Sequence, residues 1–137
     1  MKYTFAFTQP GSTASIIEVL SDGQRLSPLS GPKVSHTGDV QVVRPVRAIR
    51  GVAIGRGLGM VTETFRAQKE HASAFAASQY ERITVQRMLG CTGLLQIQGD
   101  AGGSMKMRNA TCVSASTTNM GLYTVTDFTF VGSQWTT

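Results

Sequence analysis

The spacing of apolar and polar positions sorts this chain into short strands around one helix. Tyr3, Phe5 and Phe7 alternate with Thr4, Ala6 and Thr8, the period-two signature of a half-buried strand, and Pro10-Gly11 supplies a turn. Ile16 to Leu20 forms a second apolar run followed by Asp22-Gly23 and then Gln24-Arg25-Leu26, which fits a hairpin. A short helix over 12–20, capped by Ser12, is the competing reading. The chain from Ser27 to Asp39 is rich in Pro, Ser and Gly and reads as a long loop. Gln41 to Ile54 is dense in Val and Ile and reads as strand, with Pro45 confining it to an edge or a bulge. Gly51, Gly55, Gly57 and Gly59 interrupt the pattern, and alternation resumes over Met60–Arg66.

Glu70 to Met88 changes period. Ala72, Phe75, Ala76, Tyr80 and Ile83 recur at helical spacing, and the alanines between them favour a helix. Arg82 and Arg87 suit its C-terminal end and Gly90 its stop, and the apolar stripe reads as core contact. Strands resume at Leu94–Gln98. Met105–Arg108 and Thr111–Ser116 alternate weakly, and Tyr123–Val131 makes a clear last strand after the turn at Asn119-Met120-Gly121. The fold class expected is mainly β, α+β: a β-sandwich or barrel of about 7–9 strands with one amphipathic helix, 70–88, packed on it. The length of 137 residues fits a single domain, 1–137, able to bury a hydrophobic core, with the long loop at 27–39.

Composition narrows the function classes. Charged residues are 15% of the chain, below the roughly 25% of ordinary globular domains, and a surface short of charge suits either contact with other protein or a polar coat of Ser, Thr, Gln and Asn. The formal net charge is +5, and the positive residues gather in the middle. From Lys33 to Lys69 there are seven basic residues and two acidic ones, Asp39 and Glu63. Arg44, Arg47, Arg50 and Arg56 form a candidate charged interface, suited to an acidic patch on a neighbouring subunit or to a nucleic-acid backbone. Phe65 is the only aromatic residue between Phe7 and Phe75, a thin stacking platform for a single-strand binder.

Chemistry-bearing motifs are scarce. The glycine run from Gly51 to Gly59 has arginines beside it, but it lacks the Gly-Lys-Ser/Thr of a P-loop and opens no helix, so bulges or bends are the better reading. Cys91 and Cys112 with His36 and His71 show no zinc-ligand spacing, and the cysteines read as buried thiols of a reducing compartment. His71 reads as an exposed side chain at the helix start. Glu63 and Asp127 sit within alternating strands and read as solvent-facing, while Asp22 and Asp100 occupy turn dipeptides. No carboxylate pair or Ser-His-Asp set assembles from local spacing, so no catalytic residue, cofactor or metal ligand is assigned and the chain reads as non-enzymatic. No targeting segment and no apolar run of about eighteen residues is seen, which predicts synthesis in the cytoplasm and no membrane partner.

The second half resembles small bacteriophage tail and neck structural proteins, tail tube-like or connector-like. The likeness is carried by the strand Val61-Thr62-Glu63-Thr64-Phe65-Arg66, the Ala-rich helix His71–Ala77, the strand Gly93-Leu94-Leu95-Gln96-Ile97 and the closing pattern Tyr123–Phe130. It implies a virion protein without a catalytic site, whose identical copies join through sheets and loops into rings or tubes and meet other virion proteins. One departure is charge: a tube lumen that passes DNA is often expected to be acidic, whereas this chain is basic. The alternative is a small basic nucleic-acid-binding β-domain using Arg44 to Arg56.

Overall fold

The structure, a computed structural model, describes residues 1–22, 32–43 and 51–137. Strands β1 (Lys2–Thr8), β2 (Ser15–Asp22), β3 (Lys33–Val43) and β4 (Val52–Glu70) precede one helical run, and β5 (Thr92–Gln98), β6 (Ser104–Asn119), β7 (Tyr123–Gly132) and β8 (Trp135–Thr136) follow it. The eight strands form one antiparallel sheet in the order β2-β1-β5-β6-β7-β4-β3, with β8 paired to β6. Among the described residues β2 and β3 end the row and pair with one neighbour each, so the sheet stays open. The β-rich α+β class expected from the pattern is the one observed.

The alternation in β1 decides how the sheet curves. Tyr3, Phe5 and Phe7 all point inward and are buried. The Tyr3 ring stacks on Phe65 of β4 at 4.1 Å, and Phe5 meets Phe130 of β7 edge-on at 4.9 Å. β1 and β4 stand four places apart in the sheet, so these contacts require the sheet to curl until its inner face closes on itself. Phe65 also stacks on Phe130 and touches Phe128, which makes it the centre of the aromatic core. Burying each such ring stabilises the fold by roughly 1.5–3 kcal/mol. Gly93 lets β5 approach β1 closely: a Cβ there would lie 1.9 Å from the Ala6 carbonyl oxygen.

The strand expected at Ile16 to Leu20 is observed as β2, rather than the competing helix over 12–20, because its backbone ladders onto β1 from Ser15 to Asp22. Other expectations are corrected. Residues 33–39 of the expected loop belong to β3, paired with β4, whereas 27–31 lies outside the described residues. Pro45 and Gln24 to Leu26 also lie outside them. The glycines from Gly55 to Gly59 do not break the chain into separate strands, since β4 runs through them.

The helix starts later than 70. Glu70 still pairs with Tyr123, and the His71 amide donates to the Leu122 carbonyl at 2.8 Å, so the sheet already holds this backbone. The run comprises α1 (Ala74–Gln79), a π-helical turn (Tyr80–Thr84) and α2 (Val85–Met88). Ser73 caps it, its hydroxyl accepting from the Ala76 amide at 3.1 Å, and Gly90 ends it at φ +76°. The wider π turn advances the inward face, so Ala77, Tyr80, Val85 and Met88 pack on the sheet. Phe75 and Ile83 of the expected stripe face outward instead, Phe75 being 76% exposed.

Candidate interaction surface

Registers of β3 and β4 build a two-stranded arm. β7 pairs with β4 only from Val61, opposite Gly132, to Glu70. Residues 52–60 of β4 therefore ladder with β3 alone, and 38–43 with 52–58 extend beyond the sheet. From His36↔Val61 through Gly38↔Leu58 to Val40↔Gly55, two residues of β3 at each step oppose three of β4. These two bulges explain the glycines: Gly57 takes φ +97°, and a Cβ on Gly59 would lie 2.7 Å from the Thr37 carbonyl oxygen. The glycine run is a twisted strand rather than a phosphate cradle.

The arm buries little. Of its described side chains, Val42 is 72% exposed, Val40 54% and Leu58 44%, and Asp39 and Gln41 on the opposite face are exposed as well. Met60 at the root is 65% exposed. A lone two-stranded ribbon in water is marginal, and apolar side chains on it gain only when another surface covers them. At the far end of the sheet β2 is a second open edge, carrying exposed Ile17. Arg44, Arg47 and Arg50 lie outside the described residues. Arg56 stands within β4 on the arm, its backbone place alone being described. Three of the four arginines of the candidate charged interface thus fall outside the described residues.

A second feature is a buried acid that sequence reasoning placed in solvent. Glu63 shares the inward face of β4 with Val61 and Phe65 and is 2% exposed. Burial pushes its carboxyl up to about 7, opposed by a hydrogen bond with the Trp135 side chain, and Oε2 is left buried without a partner among the described residues. The Tyr3 hydroxyl is raised above its ordinary range by burial and by the nearby Glu63 charge. The signal was present in the sequence, since Glu63 shares parity with Val61 and Phe65. Asp127 is exposed as expected and accepts a hydrogen bond from Arg66 Nε at 2.8 Å. Glu63 borders a slot of about 370 Å³ whose other walls include Tyr3, Val34, Ile97, Met105 and Trp135.

The remaining candidates are structural. His71 is half-buried rather than exposed, its Nε2 2.9 Å from Thr124 Oγ1 and its ring against Tyr80. Cys91 and Cys112 are buried free thiols, as the sequence predicts. Cys112 is pushed up to about 12 by burial and by Cys91, the reverse of an activated nucleophile. Among the described residues no three His, Cys, Asp or Glu side chains gather as a metal site, and no helix is long and apolar enough to cross a membrane.

No protein-family model matches the chain, and no curated protein does. Among solved structures, a chain of the anti-feeding prophage baseplate, determined by cryo-EM with six-fold symmetrisation, aligns over 98% of this chain and 91% of its own. The TM-score is 0.45 and the identity 12%, a likeness of outline only.

Proposed function

We propose that this chain is a non-catalytic structural subunit that self-associates or docks on neighbouring proteins of a phage-like tail or neck assembly. The observation that carries the reading is the arm: a ribbon of β3 and β4 that projects beyond the sheet with apolar side chains turned to solvent. Such a ribbon gains its stability by lying against another subunit, where main-chain pairing at the β3 edge and burial of Val40 and Val42 act together. The low share of charged residues supports contact with protein over much of the surface. The viral setting, a place in a virion, is supported by the resemblance of the strand and helix pattern to phage tail and neck proteins.

Light scattering behind a sizing column, at low and high salt, with negative-stain microscopy of the main peak, tests this. The expected result is a defined ring, tube or other large oligomer that survives high salt, because its contacts are mainly apolar. Val40→Asp with Val42→Asp should return it to monomers. A wild-type monomer at every concentration overturns self-association, and binding of nucleic acid by that monomer, weakening steeply with salt, would favour the basic segment instead.

A further inference from the structure

We infer that the slot beside Glu63 is a recognition site for a primary alkylammonium, presented as a lysine side chain of a docking neighbour. The source of the lysine rests on the structural-subunit reading above; the slot's chemistry does not. Three observations converge. Its walls are largely apolar, with Val34, Ile97 and Met105 suited to a four-carbon stem. Trp135 offers aromatic surface, which attracts a cation. Among the described residues Glu63 is the one carboxylate on the slot, and its Oε2 is buried with no hydrogen-bond partner among them. Buried carboxylate oxygens are normally satisfied, and an ammonium donor is the group that would satisfy this one and offset its charge.

Access is through Trp135. Oε2 lies below the accessible surface, and the indole hydrogen-bonds the same carboxyl. β8, which carries Trp135, is two residues long and is held to β6 at Lys106↔Thr136 and Met107↔Trp135. It is the shortest strand of the sheet and the cheapest to displace. Among the described residues, the titratable side chains on the slot besides Glu63 are Tyr3 from β1 and His36 from β3. The amino group of Met1, also at the slot, is engaged by Asp100 at 3.0 Å. β5, β6 and β8 contribute Ile97, Met105 and Trp135, none of which ionises.

The test uses the full chain labelled with ¹⁵N and follows the indole N–H signal of Trp135, the only tryptophan. The probes are N-acetyl-lysine methylamide and its uncharged analogue N-acetyl-norleucine methylamide, which keeps the four-carbon stem and lacks the ammonium. The lysine probe is expected to shift the Trp135 signal saturably, the norleucine probe to shift it little. Affinity should rise roughly tenfold from pH 6 to pH 8, as Glu63 loses its proton while the lysine keeps its own. Glu63→Gln, which keeps an acceptor for the indole, should weaken the lysine probe roughly tenfold or more. Equal response to both probes, a pH-independent affinity, unchanged binding to Glu63→Gln, or no saturable shift at any soluble concentration each overturns the proposal. If the variant fails to fold, the probe pair and the pH profile of the wild type decide alone. The probes need no assembly, so a monomeric protein that binds lysine overturns self-association and keeps the slot, and an oligomer blind to lysine does the reverse.

Discussion

Replacing Glu63 by glutamine should make the protein more stable at neutral pH and leave it nearly unchanged in acid. The carboxyl is held at about 7 in the fold, against an ordinary value of 4.5. Below pH 4.5 both the folded and unfolded chains carry the proton, and Glu63 costs nothing through ionisation. Between 4.5 and 7 the unfolded chain releases the proton while the folded chain retains it. Unfolding is therefore favoured increasingly as pH rises, and the effect levels off above 7. A span of this size corresponds to about 2–3 kcal/mol once water reaching the slot is allowed for. Glutamine can still accept from the indole of Trp135 but cannot ionise, so the variant escapes the loss. Other carboxylates titrate in both proteins, and only the difference between the two isolates this group. Urea unfolding followed by the fluorescence of Trp135, at pH 4.5, 6, 7 and 8, measures it. The midpoint of Glu63→Gln should move ahead of the wild type by about 1–2 M between the lowest and highest pH. Parallel curves at every pH would refute the claim that a buried, under-satisfied carboxylate sits on β4.

Two further outcomes follow from the packing. Phe65→Ala removes the ring shared by Tyr3, Phe128 and Phe130 and should cost about 3–5 kcal/mol in urea unfolding; a loss below about 1 kcal/mol would show that the curled sheet is not held at this point. Cys91 and Cys112 should resist an aromatic disulfide reagent at pH 8 until the chain unfolds, because both are buried and the Cys112 thiol, pushed up to about 12, stays protonated there. Labelling of either at the rate of a free thiol would contradict that burial.

Much of the local structure was legible from the sequence because period two and period 3.6 are written in single residues. The Tyr3-Phe5-Phe7 and Phe128-Phe130 faces, the β-rich class, the helix and its stop at Gly90 all follow from spacing and turn chemistry. What spacing could not give was anything that depends on which backbone pairs with which. β3 and the glycine-rich half of β4 are strands because they ladder with each other, and two bulges erase the alternation that would have announced them. Asn109, at φ +53°, does the same in β6, separating Met107 from Ala110 by three residues and giving the weak pattern there. The helix boundary moved because β7 extends the hold of the sheet to Glu70, and its inward face turned because a π turn inserts extra backbone. Glu63 is the sharpest case. Its parity with Val61 and Phe65 was readable, but charge argued for solvent, and only the closing of the curled sheet over β4 put the carboxyl inside. Local chemistry thus determined which segments could be strand or helix, while the long-range ladders decided the arm, the open edges and the buried acid, because those exist only between residues distant in the chain.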